Sequence, residues 1–264
     1  MGNKKGLWSR LWPPASALGV LLVLWQSAVT FGIVKEWMIP SPLGVVKEAF
    51  SPKVWPRLLE HTGATVELAV IGLAGGAAAG FALAALLHLL PGVRRGLYPL
   101  LILSQNVPIV ILGPIMTMLF GYGLLPKALL VIMVCFFPVC IAMLGGLSNT
   151  DEGLRNYMRM IGSGKWTLFW RLELPHAIQG LFSGLKIAAS YSVLSATFAE
   201  MLSPKVGLGG YMVVSSRGYM PERAFAAALL IIIVSLSLFG LIAWAERLIV
   251  RWRPKKEAER HAGS

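Results

Sequence analysis

Apolar positions gather into six long runs, at 15–34, 64–90, 97–119, 125–147, 180–202 and 225–249, and the polar positions bunch between them. A helix needs about 20 mostly apolar residues to cross the hydrocarbon core of a bilayer, so each run is long enough to span. The pattern predicts an all-α membrane protein of about six transmembrane helices, forming a single domain over residues 1–264. The first run reads as an uncleaved helix rather than a signal peptide. It is long, it carries Trp25 and Gln26, and no clean small-residue cleavage site follows it. The longest connections are 35–63 and 148–179. The first contains Pro40, Pro42, Pro52 and Pro56, which predicts short turns and a short interfacial helix over Pro42 to Phe50. A charged tail occupies 251–264.

Composition narrows the class further. Only 14% of the residues are charged and mean hydropathy is +0.69, whereas a soluble domain averages roughly 25% charged. So few charges cannot cover a soluble globule. The net charge of +12 does not point to nucleic acid, because the basic residues sit in short stretches between the apolar runs, where they meet anionic lipid. These stretches also set an orientation. Lys4, Lys5, Arg10, Arg94, Arg95, Arg155, Arg159, Lys165 and Arg171 fall on one side with the basic residues from Arg247 to Arg260. The other side holds only Lys35, Lys47, Lys53, Arg57, Lys127, Lys205, Arg217 and Arg223, and Lys186 lies within a run. The excess predicts that both termini are cytoplasmic, that 148–179 is a cytoplasmic loop and that 35–63 is an outer loop.

Enzyme and metal readings find little support. Asp151 is the single aspartate, so chemistry that needs paired aspartates is excluded. His61, His88, His176 and His261 are scattered, and Cys135 and Cys140 lie five apart in one apolar run, where they read as reduced packing residues. No catalytic or metal-binding residue is expected. The segment Gly162-Ser163-Gly164-Lys165 imitates the end of a phosphate-binding loop. Such a loop needs a glycine five positions before Gly164, where this chain has Arg159, and a Ser or Thr after the lysine to hold magnesium, where it has Trp166. The chain is not expected to hydrolyse ATP.

That segment has a second pattern. Leu154, Tyr157, Met158 and Ile161 recur at helical spacing, so 151–161 predicts a short amphipathic helix. Gly162 can adopt a positive φ and end that helix in a sharp turn. A second stretch runs from Trp166 to Leu172, and Pro175 is expected to end it before the membrane. Surface association with lipid is the competing reading of such a helix.

With nine residues between Gly162 and Leu172-Glu173-Leu174-Pro175, this loop resembles the coupling loop of bacterial ABC importer permeases, whose pattern is E-A-A-x3-G-x9-I-x-L-P. Asn156-Tyr157-Met158 replaces the E-A-A triplet, and Leu172 replaces the isoleucine. Ser104 to Val110, Phe120 to Lys127, Gly207 to Met212 and Phe225-Ala226-Ala227 resemble the nitrate/sulfonate/taurine type of these permeases. Within that type, Val134 to Pro138 and Gly184 to Ala188 are most similar to permeases for hydroxymethylpyrimidine, a thiamin precursor. The resemblance covers most of the chain beyond residue 40.

The resemblance implies a type I ABC importer permease fold in the inner (plasma) membrane of a bacterium. It implies two permease chains, here a homodimer, with two ATPase subunits and an external substrate-binding protein. ATP and magnesium would bind the ATPases, and this chain would hold no cofactor. The ATPase-docking residues carried over are Leu154, Tyr157, Met158, Gly162, Ser163, Gly164, Trp166, Leu174 and Pro175.

Polar residues within apolar runs are costly in lipid and usually face a bundle interior or water. Gln105, Asn106, Tyr191, Ser195 and Glu200 are therefore the candidate substrate pathway, with the last three read as sharing a broad helical face. Serines in such runs also serve as glue between helices. Lys186 is expected to extend toward the inner interface. Amides, hydroxyls, an aromatic ring and a carboxylate favour a small neutral heteroaromatic cargo. Nitrate, a sulfonate or taurine is the alternative within the same class. An ion-coupled secondary transporter is less favoured because no internal symmetry is visible, and a channel because no filter is recognisable.

The orientation yields a direct expectation. With Cys135 and Cys140 replaced, a Ser163→Cys protein should react with an impermeant thiol reagent only after the cells are permeabilised. Labelling in intact cells would reject a cytoplasmic 148–179.

Overall fold

The structure is a computed structural model that describes residues 4–250, with side chains from residue 12 onward. The charged tail at 251–264 lies outside the described residues. Eleven α-helices follow in order: α1 (Lys4–Thr30), α2 (Pro42–Ala49), α3 (Trp55–Leu89), α4 (Pro91–Ser104), α5 (Ile109–Phe120), α6 (Leu124–Ser148), α7 (Glu152–Met160), α8 (Lys165–Leu168), α9 (Leu174–Leu202), α10 (Leu208–Arg217) and α11 (Pro221–Ile249). A π-helical turn, Phe169–Glu173, joins α8 to α9. Among the described residues five helical stretches are long and apolar enough to cross a membrane, and the count is six if the bent pair α4 and α5 is one span.

The runs are found where the hydrophobic pattern puts them, but three boundaries differ. α3 starts at Trp55, well before the expected 64, and shortens the 35–63 connection. Pro56 does not break this stretch. It sits in the first turn of the helix, where its missing N–H has no partner to lose. The run 97–119 is not one straight helix, because α4 and α5 meet at a bend of 99°. Pro108 lacks a donor and holds an extended backbone (φ −63°, ψ 130°), so the ladder stops at Ser104 and restarts at Ile109. Pro175, finally, does not stop the chain short of the span. It lies in the first turn of α9, and the helix passes from Lys165 to Leu202 as one candidate span. The π-helical turn absorbs the proline: Leu174 N–H bonds the carbonyl of Phe169, five residues back.

The short helix expected at Pro42 to Phe50 is α2. Ser41 caps it by accepting from Gly44 N at 3.1 Å, and Pro42 occupies the first turn. The chain leaves α1 through a turn in which Gly32 takes φ +72°.

α6 is the centre of the bundle. Gly72, Gly76 and Gly80 recur every fourth residue along α3 and face Val131, Cys135, Phe136 and Val139 of α6. A Cβ on Gly80 would lie 2.8 Å from the Phe136 carbonyl oxygen, so the two backbones are in contact. The opposite flank of α6 meets α9 in the same way. A Cβ on Gly184 would come within 2.7 Å of Pro138 O, and one on Gly180 within 2.6 Å of Ala142 O. Lipid tails are as apolar as leucine, so helices in a bilayer associate through such close backbone packing. Leu68, Val131, Val139, Ala188 and Val193 fill the space between these seams. A second cluster, with Leu87, Met143, Leu147 and Phe169, closes the α7 end. A third, with Val45, Leu58, Leu208 and Ala227, closes the α10 end. Cys135 and Cys140 are both buried and free.

Substitution at the α6–α9 seam should separate the helices. Gly184→Val is expected to cost about 1–3 kcal/mol through overpacking. It should lower the unfolding midpoint of detergent-purified protein. Gly145→Ala, also in α6 but with nothing within 4 Å of the added carbon, should leave that midpoint unchanged.

Candidate functional site

The break between α4 and α5 opens a cavity of ≈ 590 Å³ against α6 and α9. Gln105 forms part of its rim, and Met133, Phe137 and Phe198 form apolar walls. Tyr191 is 47% exposed and lines it from α9. Ser195 lines it as well, but its hydroxyl is already spent on its own helix, donating to Tyr191 O at 2.7 Å and lying 3.2 Å from Ser192 O. No lysine, arginine, aspartate or glutamate lines this cavity.

Two of the five expected pathway residues lie elsewhere. Asn106 does not line the cavity. Its side chain donates to Ile102 O at 2.8 Å and so closes the frayed end of α4. Glu200 does not share a face with Tyr191. Nine residues are two and a half helical turns, which puts the two on opposite sides of α9. Glu200 is 1% exposed and its Oε2 accepts from Thr65 Oγ1 of α3 at 3.0 Å and from Gly209 N of α10 at 2.9 Å. Thr65 Oγ1 in turn accepts from Leu208 N, and Gly207 N donates to His61 Nδ1 at 3.0 Å. One buried carboxylate thus ties α3, α9 and the first turn of α10 together. Gly207 holds φ +115°, and any side-chain carbon there would collide with the Glu200 carboxylate.

The segment after α6 is built from local signals. Asp151 caps α7, its Oδ1 accepting from Leu154 N at 2.8 Å. Gly162 takes φ +85°. Ser163 N donates to Met158 O and Gly162 N to Arg159 O, both at 3.0 Å, which ends the helix in a tight glycine-dependent turn. Gly164 then begins α8. Leu154, Tyr157 and Ile161 form an uncovered apolar stripe, 46%, 57% and 60% exposed, while Met158 is half-buried. Trp166 is exposed and packs with Phe169 and Trp170 at ring-centroid distances of 6.2 and 5.7 Å. Leu174 and Pro175 are half-buried in the first turn of α9.

Beneath α7 lies a cluster that sequence spacing did not reveal. Glu173 Oε2 is 2.7 Å from His88 Nε2, and Glu173 Oε1 is 3.0 Å from Arg155 Nε. The latter contact is an ion pair without hydrogen-bond alignment. Lys186 Nζ lies 2.8 Å from a carboxylate oxygen of Glu246, near the C-terminal end of α11, a partner that sequence spacing did not reveal. A carboxylate in an otherwise apolar stretch, as at Glu173 and Glu246, was the available signal in both cases.

The fold agrees with the comparisons. Residues 72–251 match the family described as binding-protein-dependent transport system inner membrane component, and the chain belongs to that family. It is the permease subunit of an ABC importer, a membrane component of the transport system. It is 31% identical over 235 residues to a probable ABC transporter permease of Haemophilus influenzae, covering 89% of this chain and 95% of that one. It is 28% identical over 237 residues to the formylaminopyrimidine transport permease of Halalkalibacterium halodurans, covering 90% and 94%. More distant relatives include permeases named for riboflavin, aliphatic sulfonate, taurine and nitrate transport. The fold is similar to that of a solved amino acid ABC transporter (TM-score 0.63, 15% identity), covering 74% of this chain and 95% of that one.

Gly207→Ala tests the Glu200 tie. An alanine at that φ costs on the order of 1–3 kcal/mol, so amide exchange at Leu208 and Gly209 should accelerate by about 10-fold or more. Exchange at Leu144, buried at the other end of the bundle, should not change.

Proposed function

We propose that the chain forms half of the transmembrane pathway of an importer for a small, neutral, polar heteroaromatic solute of the thiamin-precursor pyrimidine type. The observation that carries this reading is the uncharged cavity at the α4–α5 break. Gln105 offers an amide and Tyr191 a ring and hydroxyl, set among aliphatic and phenyl walls. Such walls suit a flat ring, and a few convergent polar groups suffice to orient it. The formylaminopyrimidine permease of Halalkalibacterium halodurans, similar over nearly the whole chain, supports the same cargo class. Nitrate, an alkylsulfonate or taurine is the alternative. It would have to pass this cavity on backbone N–H groups and water.

In this reading two copies of the chain face each other, and an external binding protein delivers the solute. Two ATPase subunits, which carry ATP and magnesium, dock on the cytoplasmic side. The docking surface is the uncovered stripe Leu154, Tyr157 and Ile161, with Met158 beneath it and the turn Gly162-Ser163-Gly164 and Trp166 beside it. Leu174 and Pro175 join that surface to the span. Both termini are cytoplasmic, as the distribution of basic residues favours.

Cells expressing the complete importer should accumulate labelled hydroxymethylpyrimidine, and Gln105→Leu should lower that uptake at least several-fold without loss of the protein from the membrane. Gly162→Val should leave insertion intact and abolish uptake, because valine is strained at φ +85°. Uptake of a labelled alkylsulfonate with none of the pyrimidine would replace the cargo. Undiminished uptake in Gly162→Val would remove the docking role.

A further inference from the structure

Glu173 ends the π-helical turn, and its side chain is 7% exposed. Both of its carboxylate oxygens are engaged, and by different helices. Oε2 meets His88 in the last turn of α3, and Oε1 meets Arg155 of α7. Arg155 continues the chain of contacts to α6, its Nη2 lying 3.4 Å from Leu147 O. One carboxylate therefore sits where α3, α6, α7 and the start of α9 converge.

Other connections from α7 to these helices are unequal. Its N-terminal end follows α6 through Asn149 and the buried Thr150, whose hydroxyl bonds Leu147 O at 3.2 Å, so α7 and α6 are tightly tethered. Its C-terminal end reaches α9 through Gly162-Ser163-Gly164. Nothing lies within 4 Å of a side-chain carbon at either glycine, so this turn does not pack against the bundle. α7 itself has no buried residue. A displacement of α7 thus reaches α6 through the chain, and the Glu173 carboxylate is the ion-paired side chain that joins α7 directly to the start of α9 and to α3.

Stability alone is a weak reason for such a group. A buried ion pair can often be replaced by well-packed apolar residues without loss. A fixed link between elements that must move together is a better-attested use.

We propose that Glu173 is a positioning residue for energy coupling: its carboxylate transmits movement of the α7 docking helix to α9 and α3. This rests on the reading of α7 as the ATPase-docking element. Glu173 and Phe169, the two ends of the π-helical turn, are both buried, so this turn is fixed to the interior at the carboxylate.

The test uses the complete importer, with its ATPase subunits and binding protein, in proteoliposomes. Glu173→Gln should copurify with the ATPase subunits and hydrolyse ATP at close to the unmodified rate. Solute transported per ATP should fall by about 2- to 30-fold, the span of coupling changes of 0.5–2 kcal/mol. Arg155→Met should do the same, and the double variant should be no worse than Glu173→Gln, because both break one link. An unchanged ratio, additive losses, or loss of the ATPase subunits from either single variant would overturn the proposal. Tyr157→Glu, which adds a charge to the exposed stripe, separates the two readings. It should release the ATPase subunits. If it does not, the docking reading fails and the link loses its purpose; if it does while Glu173→Gln keeps full transport per ATP, only the link fails.

Discussion

Backbone contact on both sides of α6 is the constraint on which the rest of this molecule depends. The glycine row Gly72, Gly76 and Gly80 brings α3 against one flank, and Gly180 and Gly184 bring α9 against the other. In a bilayer no hydrophobic force distinguishes a helix neighbour from a lipid tail, so this proximity and the dispersion it gathers must hold the bundle. The bend at 105–108, where Pro108 interrupts the ladder, leaves the space that the cavity occupies against α6 and α9.

The same core sets where polar groups are tolerated. The buried carboxylates described here join helices arranged around that α6 core. Glu200 links α9 to α3 and α10 at one end of the bundle. Glu173 links the start of α9 to α3 and α7 at the other. Lys186 and Glu246 link α9 to α11 between them. Without the fixed spacing of the helices, none of these groups would have its partner within reach, and a carboxylate without a partner in an apolar interior is costly. The polar network is a consequence of the packing and not an alternative to it.

Much of this was legible in the sequence because it is local. Apolar run length locates the spans, and a glycine at 162 is needed for a left-handed turn within one helical turn of its cause. What was not legible is relational. Prolines at 56, 108 and 175 have three different outcomes, a start, a break and an absorbed insertion, because each outcome depends on where the preceding ladder stands. Gln105, Asn106 and Glu200 are all polar residues in apolar runs, yet only Gln105 reaches the cavity. Asn106 satisfies its own backbone, and Glu200 finds its partner 135 positions away. Arg155 and Glu173 are eighteen residues apart and meet only because the chain folds back at Gly162.

α3 has 35 residues, which at 1.5 Å per residue makes a rod of roughly 52 Å, against about 30 Å of hydrocarbon. Its ends carry His61, in the knot around Gly207, and His88, on Glu173. Four of its five glycines, Gly72, Gly75, Gly76 and Gly80, are pressed against α6. A strut of that kind cannot change the distance between its own ends. Any tilt or slide of α3 at one membrane face must therefore appear at the other, with the bilayer midplane as fulcrum.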